Sequence, residues 1–455
     1  MPEGSTGTNR NSIAPAVGGL FFPQSKSLGI DRSHFSPALQ AKIVFAGVNN
    51  TSYQQAQQQL EALAELPVSD KQIRRLCKTI GHERVAERDA AVAAYQAKPL
   101  TERKQAPANV PAPEVAVVGV DGGRLQIFER GPQAAAAAPA EEIQDDVPLP
   151  ESAATEAAKK PMHWREDKIG LLLTMTSQEH PADPCPEIPV SFVNPHWIPE
   201  LAKELSKRAA AVDAAATPPV TLPAEEDQAE WQPPKVATKT LVATRRPWAN
   251  FGPLVAAQAW SLGFFGAKRK AFVGDGAENN WTLWRNQFSS FVPIVDFIHA
   301  LSYVFHAALA GRSFEAGWAT YQRWIRWVWS GEVEKTLVEL AQRQAELGAP
   351  VAEAKGTSPA TVVSRALSYL QTHKDRMRYA AYRKQGLPIV SSYVESAVKQ
   401  FNYRVKGTEK FWREAGAEEI LQLRADYLTD GESMSAFWQR RQASEAGQAR
   451  YCTAA

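Results

Sequence analysis

The hydrophobic and polar positions of this chain change period several times, and each change predicts an element. Between Ser52 and Leu66, Tyr53, Ala56, Leu60 and Leu63 recur at helical spacing in a Gln-rich stretch that stops at Pro67. Ser69 precedes Gln72 by three residues, a capping box that starts a second helix. There Ile73, Leu76, Cys77 and Ile80 share one face at i, i+3, i+4, i+7, while Lys71, Arg74, Arg75 and Lys78 share the other. From Val115 to Val120 the run is continuous, apolar and β-branched, as in a central strand covered on both faces. Trp164 to Ser177 predicts a second strand, and Leu241 to Thr244 a short one. Residues 252–267 predict a helix that leads into a strand at Ala271–Gly274. A helix at Trp281–Phe288 and a strand at Phe291–Val295 follow, and from Ala300 to about Tyr382 the chain is nearly all helical. The stripe Trp318, Tyr321, Ile325 and Val328 belongs to a core. In a late helix Val394, Ala397, Val398, Phe401 and Val405 face inward, opposite Glu395, Lys399, Asn402 and Lys406.

Breaks in these patterns divide the chain. Residues 1–33 carry Gly, Ser, Asn and Pro without periodicity and are expected to be disordered. Residues 34–96 form an all-helical segment whose second helix bears a basic stripe, the layout of a helix-turn-helix. The same stripe also fits the solvated side of an ordinary amphipathic helix. Residues 97–114 are a Pro/Ala linker. An α/β domain follows at 115–440, with Ala/Pro/Glu-rich insertions at 131–160 and 208–235 and a helical insertion at 300–385; residues 441–455 are a tail.

The bulk numbers narrow the class. A chain of 455 residues, 44% apolar, has room for two or three cores. No apolar run approaches the roughly 20 residues of a membrane helix, and the start lacks a signal-peptide layout. Cys77, Cys185 and Cys452 are scattered and odd in number, which fits a reducing cytoplasm and neither a disulfide framework nor a zinc cluster. The formal net charge is only +2, but it is unevenly spread. Residues 131–235 hold 8 Lys/Arg against 18 Asp/Glu, a formal −10, and residues 371–413 hold 10 against 3, a formal +7. The basic segment surrounds Glu395 and points to a polyanionic partner.

The candidate chemistry lies in acids. Asp121 ends the strand of Val-Gly-Val-Asp-Gly-Gly-Arg, Asp275 ends that of Phe-Val-Gly-Asp-Gly-Ala, and Glu395 opens the late helix. Two strand-end aspartates and a distant glutamate suit a magnesium site, because carboxylate oxygens and retained waters satisfy the ion. Asp-Gly after a strand also closes ordinary turns, and Glu395 with Lys399 also makes a surface i, i+4 pair. Asp296, three residues before His299, is the alternative second acid. Gly274 and Gly276 favour Asp275 by leaving room for close approach, and His299 otherwise reads as a packing imidazole. The element order, strands, then an α-β-α-β run, then a helix bearing an acid, is that of an RNase H-like domain.

Val-Gly-Val-Asp121-Gly-Gly-Arg124, Trp164-Arg-Glu-Asp-Lys168, Val-Gly-Asp275-Gly-Ala-Glu-Asn-Asn-Trp281, Pro293-Ile-Val-Asp-Phe-Ile-His299 and Ser391-Ser-Tyr-Val-Glu-Ser-Ala-Val-Lys399, in this order, together resemble bacterial insertion-sequence transposases of the DDE class. The likeness is to the Kra-type group, related to Mutator-like transposases, over about residues 35–96 and 115–440. It implies an RNase H-like core with Asp121, Asp275 and Glu395 as catalytic and metal-binding triad, and Mg2+ or Mn2+ as cofactor. It implies strand cleavage at the element ends followed by strand transfer into target DNA. Terminal-repeat DNA would meet Lys71, Arg74, Arg75 and Lys78, and phosphates in the active-site channel would meet Arg124, Lys399, Arg404 and Lys406. Holding two element ends together implies a homodimer or higher oligomer on DNA, in a bacterial cytoplasm close to the nucleoid. A catalytically inactive DNA-binding derivative and a metal-dependent nuclease without strand transfer are the competing expectations.

Overall fold

The structure, a computed structural model, describes residues 35–128, 164–210, 232–350, 357–407 and 410–444. The expected disorder at 1–33, the insertion 131–160, most of the insertion 208–235 and nearly all of the tail lie outside the described residues. The chain forms two compact units, one of Met1–Asp89, Arg124–Arg165 and Phe401–Ala455, the other of Ala90–Gly123 and Glu166–Gln400. The class is α/β, as expected.

The first unit begins with helices α1 (Pro37–Asn49) and α2 (Tyr53–Ala64), capped by the Ser36 and Ser52 hydroxyls. Glu65 takes the left-handed conformation and ends α2, and Pro67 keeps it from resuming. Helix α3 (Asp70–Ala97) starts at the expected capping box: Ser69 N–H donates to Gln72 Oε1 at 3.1 Å and Gln72 N–H donates to Ser69 Oγ at 3.3 Å. Ile73, Leu76, Cys77 and Ile80 are buried. Helices α14 (Glu414–Leu428) and α15 (Ser433–Ser444) pack on α1, and the bidentate pair from Arg84 to Asp426 ties α3 to α14.

The second unit carries the sheet. Its strands are β1 (Val115–Ile127), β2 (Trp164–Thr176), β3 (Lys235–Thr244), β4 (Arg269–Gly274) and β5 (Val292–Val295), ordered β3-β2-β1-β4-β5. Strands β1, β4 and β5 run parallel, and β2 and β3 antiparallel. At its far end β1 also pairs with β6 (Phe411–Trp412). The residues of β1 from Val115 to Val120 are buried, as a doubly covered central strand requires. Strand β3 is longer than Leu241–Thr244 because it is an edge: four of the six added residues from Lys235 are polar and none is buried, so the apolar pattern does not mark them. Short helix α4 (Leu100–Arg103) interrupts the expected linker. The remaining helices are α5 (Trp197–Ala210), α6 (Trp248–Ser261), α7 (Glu278–Gln287), α8 (Phe297–Leu309), α9 (Phe314–Trp329), α10 (Val333–Leu347), α11 (Pro359–His373), α12 (Tyr379–Lys384) and α13 (Ser392–Val405). Tyr321, Ile325 and Val328 of the aromatic stripe are buried in α9, as expected of core. No helix among the described residues is long and apolar enough to cross a membrane.

Helix α13 reaches β1 at one spot. Gly119 lies where a Cβ would run into the Val394 Cγ2 methyl, so the missing side chain sets how closely the helix approaches the strand. Gly119→Ala is therefore expected to lower stability by about 1–3 kcal/mol. Adding Val394→Ala, which removes the obstructing methyls, is expected to recover part of that loss. Urea midpoints of the four proteins in the cycle measure the coupling, and strictly additive losses would show that α13 does not press on β1 here.

Candidate active site

Strand register builds the site. Gly119 pairs with Val273 across β1 and β4, and Gly274 pairs with Val295 across β4 and β5. Continuing each register past its last pair brings Asp121 level with Asp275, and Asp275 level with Asp296. Adjacent strands are about 4.8 Å apart, so three carboxylates stand in a row: Asp275 and Asp296 just past the ends of β4 and β5, and Asp121 inside β1, which runs on through Gly122 and Gly123 to Ile127 and does not end at Asp121 as its Asp-Gly-Gly sequence suggests. Glu395 joins them from the first turn of α13, one residue beyond the Val394 contact with Gly119.

The three aspartates have different surroundings. Asp121 is half-buried and accepts the Gly122 N–H at 2.7 Å through Oδ1. Burial, then the charges of Asp275 and Glu395, push its carboxyl up to about 7, against the Gly122 N–H and His299. Asp275 Oδ1 accepts from Ala277 N–H at 2.9 Å and from Asn280 Nδ2 at 2.8 Å, which fixes the carboxylate on the turn into α7. Asp296 is fully buried. It caps α8 through Ile298 N–H at 2.7 Å, accepts Ser391 N–H at 3.1 Å, and takes the Ser391 hydroxyl as well. Burial alone would raise its carboxyl; His299, Ser391 and Ile298 together hold it below the usual carboxylate range.

Asp296 thus does more than partner His299, the role its spacing suggests. By clamping Ser391 it fixes the start of α13, and so the position of Glu395. It also lies 3.5 Å from His299 Nδ1, an ion-pair distance without hydrogen-bond alignment. The ligand atoms of Asp296, His299 and Glu395 all fall within 4.8 Å of one another. Burial disfavours charge on His299, but Asp296, Asp275 and Glu395 outweigh it and push the imidazole up to about 9. The ring is a cation at neutral pH, placed among four acids. Asn280, Ser391 and Tyr369, whose hydroxyl donates to the Asp275 carbonyl at 2.8 Å, complete the support. Of these, only the Asp296–His299 spacing carried a signal in the sequence.

The basic candidates divide. On α3, Lys71, Arg75 and Lys78 are exposed and Arg74 half-exposed, opposite the buried stripe. Arg124 is exposed on β1. The Lys406 ammonium lies 5.7 Å from the centre of the Trp164 ring. Lys399 pairs with Glu204 of α5 at 3.6 Å, and not with Glu395 one turn back. Arg404 is placed otherwise than its expected phosphate contact requires. It is buried, donates to the Gly47 carbonyl at 3.0 Å, and stacks 4.5 Å from the Tyr53 ring centre and 5.1 Å from that of Trp412. Nine residues separate it from Glu395, two and a half helical turns, so the two side chains leave α13 on opposite sides. No protein-family model matches this chain, and no curated protein matches it either.

The raised Asp121 carboxyl has a thermodynamic consequence. Its folded value of about 7 exceeds the ordinary 3.8, so between these limits the folded state holds the proton more tightly than the unfolded state does. Without divalent cations, the contribution of Asp121 to stability should fall as pH rises through that window, by at most about 1.4 kcal/mol per pH unit. Asp121→Asn should remove this component. Urea unfolding of both proteins in EDTA from pH 4 to 8 measures the difference, and parallel pH profiles would rule out the electrostatic account.

Proposed function

We propose that this protein is a DNA transposase of the DDE class, in which an RNase H-like core carries Asp121, Asp275 and Glu395 as its catalytic acids. The observation that carries the reading is the register of β1, β4 and β5, which brings acids from remote parts of the chain level with one another, with α13 bringing Glu395 beside β1. The strand order β3-β2-β1-β4-β5 supports the RNase H-like architecture, since it makes the strand that carries Asp121 and the strand that leads into Asp275 direct neighbours. The N-terminal helices, with a capping box opening α3 and a basic stripe facing outward, support a helix-turn-helix that engages terminal-repeat DNA.

The donor set fits a hard divalent cation. It consists of carboxylate oxygens with no thiolate among them, and beside burial the charges of Asp275 and Glu395 raise the Asp121 carboxyl. Asp121, Asp275 and Glu395 would hold Mg2+ or Mn2+, which when bound activates the attacking oxygen and stabilises the leaving oxygen of an in-line phosphoryl transfer. The chain's own groups orient that site. Ala277 N–H and Asn280 hold the Asp275 carboxylate, and Asp296 fixes the helix bearing Glu395 through Ser391. The charged His299 ring offsets part of the acid repulsion and is placed to donate a hydrogen bond to a phosphate oxygen. Lys71, Arg74, Arg75 and Lys78 would neutralise phosphates of the terminal repeats, and Arg124 and Lys406 those nearer the site. Lys399 would first have to exchange Glu204 for phosphate. Synapsis of two element ends calls for at least a homodimer on DNA.

Asp121→Asn, Asp275→Asn and Glu395→Gln should each reduce Mg2+-dependent cleavage of element-end DNA to the uncatalysed background while DNA binding persists. Residual cleavage near the wild-type rate in any one removes that residue from the triad. Cleavage without joined products in the wild-type protein would instead identify a nuclease. For the basic stripe, Arg75→Ala with Lys78→Ala should weaken DNA binding and flatten its dependence on log salt concentration by up to about two, if both contact phosphates. An unchanged slope in fluorescence-anisotropy titrations would make this face solvent surface.

A further inference from the structure

Tyr303 of α8 is 37% exposed, the more notable because its helix is otherwise largely buried. Its ring stacks on that of Tyr369 from α11, with centroids 3.9 Å apart and planes 14° from parallel. Tyr369 is held from below. Its hydroxyl donates to the Asp275 carbonyl at 2.8 Å, and His373 packs edge-on against it at 4.8 Å. Gly276 passes beneath the same ring with φ of 103°, where a side chain would strike Tyr369. The pair is thus fixed to the turn that presents Asp275. Tyr303 also lies one helical turn after His299, on the same side of α8. Burial and the Asp275 charge raise its hydroxyl above the ordinary range while Arg365 acts in the opposite sense, so an acid of the site and a cation both lie within electrostatic reach. Arg365 is exposed one turn before Tyr369 on α11.

A buried tyrosine pair would need no further account. Here one face of Tyr303 is covered by Tyr369, so the exposed part is its other face and edge, and its hydroxyl makes no hydrogen bond among the described residues. A flat aromatic surface on a rigid support, flanked by an arginine and next to a carboxylate site, matches the chemistry of base stacking with an adjacent phosphate contact. We propose that Tyr303, backed by Tyr369, is a stacking platform for a nucleobase that has left its duplex beside the scissile phosphate, with Arg365 contacting the neighbouring phosphate. This rests on the reading of the site as a DNA strand-transfer centre and adds a subsite to it. Unstacking a base gives the attacking and leaving oxygens room at the strand-end acids, and the platform recovers part of the energy that unstacking costs.

The test uses the full chain in EDTA, so that it does not depend on cleavage. The probe is a 12-nucleotide thymidine oligomer with one central 2-aminopurine, single-stranded or annealed to its complement. Wild-type protein should quench the single-stranded probe on binding. Tyr303→Ala should abolish the quenching and weaken binding by about five- to a hundredfold. Its salt dependence should stay unchanged, because no phosphate contact is lost. Tyr303→Trp should restore quenching, and Arg365→Ala should lower the salt slope by about one. Tyr303→Leu keeps apolar packing on Tyr369 but offers no aromatic face, and covers the case in which Tyr303→Ala does not fold. Wild-type affinity and quenching in Tyr303→Leu overturns the platform while leaving the DNA-enzyme reading intact. Absence of binding to either form of DNA by the wild-type protein overturns both.

Discussion

The parallel register of β1, β4 and β5 is the constraint on which the rest of this structure depends. Once Gly119 is level with Val273 and Gly274 with Val295, the acids that follow have no choice but to stand side by side. Such a row is electrostatically costly, and each member is relieved differently. Asp296 is satisfied by the first turn of α8, Ser391 and His299; Asp275 by the turn into α7; Asp121 has one backbone N–H and keeps the strongest pull on a proton. The acid with the least protein support is thus the one with most to gain from a cation. This contrasts with a buried ion pair, where both partners are already present.

Asp296 shows how one residue links fold and site. Its side chain joins the end of β5, the start of α8 and the segment before α13, three places far apart in sequence. Phe297 N–H adds a backbone bond to the Ile389 carbonyl at 2.9 Å beside it. The helical stretch between α8 and α13 is therefore pinned at both ends to the same strand, and whatever its own helices do, Glu395 returns to the edge where Asp121 and Asp275 lie. A carboxylate spent in this way cannot also be an open metal ligand without losing its hold on Ser391. That favours Asp275 over Asp296 on physical grounds stronger than the flanking glycines from which the preference first came.

What was legible in the sequence follows from what leaves a periodic trace. The buried run at Val115–Val120, the capping box at Ser69–Gln72 and the two faces of α3 could all be read, because each depends on residues within a turn or a strand of one another. Asp275 and Asp296 at their strand ends stood out for the same reason, whereas Asp121 with Gly122 and Gly123 reads as a strand end although β1 continues through them to Ile127. Strand β3 was cut short because an edge strand with polar, exposed residues carries no apolar signal. The clamp between Asp296 and Ser391 spans 95 residues and leaves no local mark. Nor does the stacking of Tyr303 on Tyr369, since a tyrosine on an apolar helix looks the same whether its ring is enclosed or presented. Arg404 is a different case: its phase on α13, opposite Glu395, was open to inspection, and the charge of the surrounding segment outweighed it.

The basic segment 371–413 does not present all of its charges to solvent. Its formal +7 suggests one continuous positive surface. The structure divides it. Arg383 is buried, bonded to Asp183 and lying 3.9 Å from the centre of the Trp329 ring, and Arg404 is enclosed between Tyr53 and Trp412. Arg376 lies 4.4 Å from the centre of the Trp281 ring and contacts His373, whose imidazole burial and the same arginine hold down to about 4, so that it is neutral at physiological pH. Lys399 is neutralised by Glu204. These guanidinium groups serve as flat, hydrogen-bonding plugs in aromatic surroundings, a use to which arginine is better suited than lysine because its charge is delocalised and weakly hydrated. The field that a polyanion would meet comes from fewer groups than the composition implies, chiefly exposed Lys384 with half-exposed Lys374 and Lys406, since exposed Arg378 pairs with Asp375 at 3.4 Å. A charge excess along a sequence is an upper bound on an electrostatic surface, and here the difference is made up by arginines packed inside one unit or the other.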